Sequence, residues 1–245
     1  MKSSVSFNSE LSKFGIGLFE TIKIENDPLD LDLHMDRLFN SIKELNFNIK
    51  YSKEDLKKEV IKYINDNNIK NKALRLTVFD EGYNISIRDV AYSKETYEKG
   101  FKLIISPIKR GNSILYKHKT TNYYENIYTK RYASSKGYDD GLFVDCDGNI
   151  LECSMSNIFF IKDNTIYTPN KELPLLNGIM KKRILDICEE LNIELIEKNI
   201  RIKDIEEYDF AFITNSLMKA IKVTQIEQKV YNSSNELFDK IVVCI

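Results

Sequence analysis

The sequence predicts a mixed α/β (α+β) fold in two parts, on three observations. Strands interleave with two amphipathic helices over roughly the first hundred residues, the second half is rich in hairpin signals with at least two helices, and an aperiodic stretch lies between them. A chain of 245 residues is long enough for one large core or two small ones.

The elements follow in order. Residues 5–24 alternate apolar positions around the glycine pair Gly15 and Gly17, and Asn26-Asp27-Pro28 marks a turn. Over residues 32–46, Leu38, Ile42 and Leu45 recur at helical spacing. Ser52-Lys53-Glu54-Asp55 has the form of a capping box and opens a second helix, whose face is Leu56, Val60, Tyr63 and Ile64. Residues 73–79 and 83–90 read as strands about Asp80-Glu81-Gly82, with a third over 102–108. The stretch 106–121, with Pro107 and Gly111 among lysines, asparagines and serines, reads as an interdomain connection between an N-terminal α/β domain (1–105) and a C-terminal α/β domain (122–245). A helix over 123–136 ends at Gly137. Residues 141–146 and 149–152 flank Asp147-Gly148, a two-residue hairpin signal, and 157–162 and 165–168 flank Asp163-Asn164 in the same way. A helix over 178–191 carries Ile184, Cys188 and Leu191 on one face, and 194–200, 210–214 and 220–225 read as further strands.

Composition excludes several function classes. With 36 Lys+Arg against 37 Asp+Glu and no run of five or more like-signed side chains, nothing holds a polyanion, so nucleic acid is not expected as a partner. The longest apolar runs, such as Ile158-Phe159-Phe160-Ile161, are far too short for a membrane span, and the start has no signal-peptide stretch; a soluble, cytoplasmic protein is expected. Cys146, Cys153, Cys188 and Cys244 lie far apart without metal-ligand spacing, so no metal site is expected; they read as reduced thiols, three of them packed inside. With only His34 and His118 available, chemistry is expected to run through another group.

Five local features could carry it. Lys119, in Lys117-His118-Lys119-Thr120-Thr121-Asn122-Tyr123, could be a nucleophile toward carbonyls if desolvated or set beside another cation, or simply a surface charge; Lys117 competes for the role. Glu152 precedes Cys153-Ser154-Met155-Ser156-Asn157, and a carboxylate there is either at an exposed rim or matched to a cation. Leu176-Asn177-Gly178-Ile179 opens a helix, where Asn177 can cap and Gly178 lets an anion approach the free N–H groups. Thr214-Asn215-Ser216-Leu217 offers hydroxyl and amide donors at a strand end. Arg37 lies three residues from His34 on one helix face, as a snorkelling side chain or an anion clamp.

Taken in order, Phe14-Gly15-Ile16-Gly17-Leu18-Phe19-Glu20-Thr21, His34-x-x-Arg37-Leu38, Lys119-Thr-Thr-Asn122-Tyr123, Glu152-x-x-x-x-Asn157-Ile-Phe159, Tyr167-Thr168-Pro169, Leu176-Asn177-Gly178-Ile179 and Thr214-Asn215-Ser216-Leu217 span nearly the whole chain. The set resembles the fold-type IV pyridoxal-phosphate enzymes of the class IV aminotransferase family: branched-chain and D-amino-acid aminotransferases and 4-amino-4-deoxychorismate lyases. The resemblance implies an N-terminal α/β sandwich domain, a C-terminal α/β barrel-like domain, pyridoxal 5′-phosphate as cofactor and a homodimer acting on a small molecule. It implies that Lys119 holds the cofactor aldehyde and moves protons, and that Glu152 faces the pyridine nitrogen. Arg37, the N–H of Ile179 beside Gly178, and Ser216 with Asn215 would hold the phosphate, and His34 would be a neighbour of Arg37. The choice of Lys119 over Lys117 comes from the family spacing to Asn122.

Within the family the residues favour the lyase. Ile16 stands where many members have Asp, Phe19 where D-amino-acid aminotransferases have a substrate-contacting Tyr, and Arg75-Leu76-Thr77 lacks the Arg-x-His pair that binds a carboxylate there. The implied reaction eliminates pyruvate from 4-amino-4-deoxychorismate and leaves 4-aminobenzoate, a folate precursor, with Phe19 and Thr21 on the substrate side. A transaminase with the same cofactor contacts is the alternative. The N-terminus is shorter than in all three subfamilies.

Overall fold

A computed structural model describes all of residues 1–245. The chain forms two compact units, the first made of Met1–Ala91 with His118–Tyr123, the second of Tyr92–Lys117 with Tyr124–Ile245.

The first unit contains α1 (Glu10–Phe14), β1 (Leu18–Ile24), α2 (Leu31–Glu44), α3 (Lys53–Asp66), β2 (Lys72–Phe79) and β3 (Gly82–Asp89). Its strands form an antiparallel sheet, β1-β2-β3. Strand alternation assigns the faces. Leu18, Ile22 and Ile24 of β1 and Leu74, Leu76 and Val78 of β2 cluster with Met35 and Leu38 of α2 and Leu56, Val60 and Ile64 of α3. The opposite face presents Phe19 and Thr21 beside their register partners Thr77 and Arg75. The Ser52–Asp55 capping box forms at the start of α3. Residues 5–24 are not one alternating stretch, because Ser9 caps the short α1, which buries none of its own residues.

His118–Tyr123 runs along the edge of β1. Phe19 N–H donates to the Lys119 carbonyl at 2.9 Å and Thr121 N–H to the Gly17 carbonyl at 2.8 Å. A Cβ on Gly17 would meet the Val78 carbonyl oxygen and Thr121 Oγ1 at 3.0 Å, so glycine permits this close approach.

The second unit contains α4 (Lys94–Lys99), β4 (Phe101–Arg110), α5 (Tyr124–Ser135), β5 (Asp140–Asp145), β6 (Ile150–Cys153), β7 (Asn157–Lys162), β8 (Thr165–Pro169), α6 (Ile179–Glu190), β9 (Leu195–Lys198), β10 (Phe210–Asn215), β11 (Lys219–Ile226), β12 (Lys229–Val230) and α7 (Glu236–Cys244). Its mixed sheet runs β6-β5-β4-β11-β10-β7-β8-β9, with β12 added to β11. The β6 edge comes back against β8, which curls the sheet into a half-barrel. Strand β4 continues through Arg110, past the point where sequence periodicity fades, because it pairs in parallel with β5 and β11. That pairing places residues 92–117 in the second unit.

Strands β7 and β10 are buried on both faces and read as near-continuous apolar runs. Ile158, Phe160 and Ile213 pack with Leu103, Leu142 and Ile221 on one side. On the other, Phe159 and Phe212 stack at 4.8 Å and meet Ile184 and Cys188 of α6 and Leu237 and Ile241 of α7. Asp163 and Asn164 both take positive φ, the geometry a two-residue hairpin turn needs. The four cysteines are free, but only Cys153 and Cys188 are buried; Cys146 and Cys244, beside a hairpin turn and at the chain end, are exposed. No helix is long and apolar enough to cross a membrane.

Candidate active site

In the first unit, Lys119 is placed by its backbone pairing with β1, with its Nζ 4.6 Å from the centre of the Phe19 ring and 5.4 Å from that of Tyr123. Phe19 is 3% exposed and meets Tyr123 edge-on at 5.2 Å. Arg75 lies over the same Phe19 ring at 3.7 Å, and its Nε donates to Thr77 Oγ1 at 3.3 Å. Burial, with Arg88 nearby, pushes the Arg75 guanidinium down from its ordinary value. An amine among aromatic rings with a second cation at the same ring is the setting in which a lysine serves as a nucleophile toward carbonyls. Lys117 is elsewhere: it belongs to the second unit and pairs with Glu172 at 3.5 Å.

Residues 19 and 20 point to opposite faces of β1. Glu20, 1% exposed, accepts from Arg37 Nε at 2.8 Å and Nη2 at 2.6 Å, and its Oε2 lies 2.6 Å from His34 Nδ1. Burial alone would raise the Glu20 carboxyl, but the Arg37 charge and the His34 hydrogen bond outweigh it and bring it down to about 2. The bidentate contact fixes the plane of the Arg37 guanidinium. His34 is thus a neighbour of Arg37 through Glu20, which sequence reasoning missed; the signal was a carboxylate at an inward position of an alternating strand.

In the second unit, Glu152 on β6 is 9% exposed and matched to a cation. Its Oε1 accepts from Arg110 Nη1 at 2.6 Å, and its Oε2 from the Leu176 N–H at 3.2 Å. Arg110, 2% exposed at the end of β4, stacks on Phe143 at 3.7 Å and lies 4.6 Å from the Tyr116 ring centre. Forty-two positions separate Arg110 from Glu152, and no sequence periodicity links them.

Helix α6 begins at Ile179 with Gly178, not Asn177, as its N-cap, and no side chain caps it. Its first N–H groups are therefore left to an external acceptor, and the helix dipole favours an anion there. Gly178 holds the cap position because its Cα packs on the Asn157 carboxamide, which a Cβ would overlap. Asn157 Nδ2 donates to the carbonyl and hydroxyl oxygens of Thr214, at 3.0 and 2.9 Å. Ser216 follows in a turn organised by Asn215, whose Oδ1 accepts from the N–H groups of Leu217 and Met218 at 2.9 Å. Asn215 Nδ2 donates to the Met155 carbonyl at 3.3 Å, so its side chain shapes the turn that presents Ser216.

The first unit thus carries Phe19, Thr21, Arg37 and Lys119, and the second carries Glu152, Gly178, Ile179, Asn215 and Ser216. As donor chemistry, the first unit offers an amine for an aldehyde and an arginine for an anion, and the second a buried carboxylate for a ring nitrogen and an uncapped helix start with a serine for a phosphate. These groups fit pyridoxal 5′-phosphate.

A curled mixed sheet with this donor set defines an enzyme of the fold-type IV class, and the comparisons agree. Residues 17–226 match the family described as amino-transferase class IV, and the chain belongs to that family. It is 28% identical over 243 residues to the aminodeoxychorismate lyase of Bacillus subtilis, covering 91% of this chain and 81% of that protein. It is 28% identical over 237 residues to the branched-chain-amino-acid aminotransferase of Pseudomonas aeruginosa, covering 87% and 77%. The crystal structure of a candidate 4-amino-4-deoxychorismate lyase from Legionella pneumophila superposes with a TM-score of 0.90 at 25% identity, covering 100% of this chain and 95% of that one. The branched-chain aminotransferase of Thermoproteus uzoniensis shares the fold, with a TM-score of 0.91 at 22% identity, covering 99% and 88%. The cofactor is pyridoxal 5′-phosphate, and the enzyme is a lyase or an aminotransferase.

Proposed function

We propose that this chain is a 4-amino-4-deoxychorismate lyase, releasing pyruvate and 4-aminobenzoate. The observation that carries the reading is the face of the β1–β3 sheet opposite its helices. Beside Lys119 it presents Phe19, and two residues along β2 from Arg75 stands Thr77, where a second carboxylate-binding group of the transaminase kind would be a histidine. The likeness to lyases over most of the chain supports it.

When bound, the cofactor supplies an electron sink for the carbanion that the elimination generates. In this reading Lys119 Nζ would hold the cofactor through its aldehyde and, with the substrate amine in place, would take the ring proton beside that amine. The bond from the ring to the enolpyruvyl oxygen breaks, the ring becomes aromatic, and Lys119 returns the proton to the departing enolpyruvate, which leaves as pyruvate. Glu152, paired with Arg110, would hold a proton at the cofactor's ring nitrogen. The Ile179 N–H beside Gly178 and Ser216 in the turn set by Asn215 would hold the phosphate, and Arg37 would supply the cation for it. Phe19 and Thr21 line the substrate side.

The decisive measurement supplies enzymatically generated 4-amino-4-deoxychorismate and follows both products. Equimolar pyruvate and 4-aminobenzoate are expected; nitrogen transfer from an amino donor to 2-oxoglutarate with no pyruvate release would instead establish the transaminase reading, which the Pseudomonas relative favours. Lys119→Ala is expected to abolish the borohydride-reducible adduct with the cofactor and to lower turnover by at least about 10³-fold. A reducible adduct surviving in that variant would move the role to another lysine.

We further propose that two copies associate. The first unit leaves Phe7 94% and Phe14 68% exposed, an apolar surface suited to burial against a second chain. Sedimentation at the monomer mass across micromolar concentrations would refute it.

A further inference from the structure

We propose that Asn157 is the positioning residue that sets the spacing between the start of α6 and the turn that follows β10, the two parts of the second unit assigned above to the cofactor phosphate. The inference rests on that assignment and goes beyond it. Asn157 is 8% exposed and opens β7, directly opposite Thr214 of β10 in register. One edge of its carboxamide, through Nδ2, is tied to both oxygens of Thr214. The carboxamide is also packed against Gly178, so closely that a Cβ there would lie 2.8 Å from its Cγ. A single planar group thus joins the last turns of backbone before Ser216 and before the Ile179 N–H.

The bracing is reciprocal across the strand pair. Asn157 reaches from β7 to β10, while Asn215 reaches from β10 to the Met155 carbonyl just before β7. At its other end the first turn of α6 is held by Lys181, 4% exposed, whose Nζ donates to the Pro169 carbonyl at 2.6 Å and pairs with Glu197 at 2.7 Å. Lys181 anchors the helix to β8 and β9; Asn157 links it to the Thr214 end of β10. Pairs of anion donors on separate elements bind a small anion well only when their spacing is fixed beforehand.

The test uses the full chain freed of cofactor and titrated with pyridoxal 5′-phosphate, pyridoxal and inorganic phosphate. Asn157→Ser is expected to weaken pyridoxal 5′-phosphate and inorganic phosphate roughly tenfold and to leave pyridoxal unchanged, since one buried hydrogen-bonded brace is lost. Gly178→Ala, which drives a methyl into the carboxamide, is expected to do the same, and the double variant to be no worse than either single one. Parallel weakening of pyridoxal and its phosphate, or additive single effects, would overturn the positioning role. If Asn157→Ser fails to fold, Gly178→Ala carries the same comparison. A wild-type chain that binds pyridoxal as tightly as its phosphate would overturn the phosphate assignment along with it, whereas wild-type discrimination retained in both variants would remove only Asn157.

Discussion

Glu20 lies between a helix and a sheet with an arginine and a histidine on its two oxygens. Its carboxyl titrates at about 2 in the folded chain against an ordinary 4.5, so the unfolded chain binds the extra proton first as pH falls. The stabilisation is complete above about pH 4.5 and is lost between there and about pH 2. Glu20→Gln should therefore flatten the acid limb of a stability curve, removing on the order of 3 kcal/mol at neutral pH and little at pH 2. Urea titrations at several pH values check this; an equal loss at pH 3 and pH 7 would mean that packing, not charge, holds the cluster. At this scale the sequence exposed Lys119, Glu152 and Arg37 as candidates by residue type and spacing. It concealed Arg110, because its partner Glu152 lies on a different element and nothing local marks a long-range ion pair, and it marked Glu20 only by an inward place on an alternating strand.

At the scale of elements, local chemistry was legible where it is self-contained. The Ser52–Asp55 box, the Asp163-Asn164 turn and the left-handed Gly137 each fix backbone within a few residues, and each forms as expected. Ser52→Ala should cost about 1 kcal/mol, read as a lower urea midpoint with unchanged slope. A changed slope would mean that more than the cap is lost. The helices α1, α4 and α7 were not foreseen. The first two bury none of their own residues and so leave no periodic signal, whereas α7 spans only Glu236–Cys244 and shows only Leu237 and Ile241 inward. The cap at α6 was misplaced by one residue, since Asn177 has the better capping side chain and only the packing of Asn157 on Gly178 decides otherwise.

For the whole molecule, the sheet order of the second unit was the least legible feature. Strand β4 pairs in parallel with β11, joining Phe101–Leu103 to Val223–Ile226, and no pattern in either strand names its partner. By contrast β2 and β3 pair across a tight turn from Phe79 to Gly82. Non-local parallel pairing is slow to form. Pulse-labelled hydrogen exchange during refolding should therefore protect β2 and β3 before β4 and β11; the reverse order would refute the argument.

The segment His118–Tyr123 folds with the first unit while the residues on both sides of it fold with the second. In terms of the gene, Lys119 is encoded within the second unit's stretch but has its aromatic seat at Phe19 in the first. A clone ending at Ala91 would yield a sheet lacking both its β1 edge segment and its lysine. Recombination between relatives at that junction would give each chimera a lysine from one parent and the ring beneath it from the other.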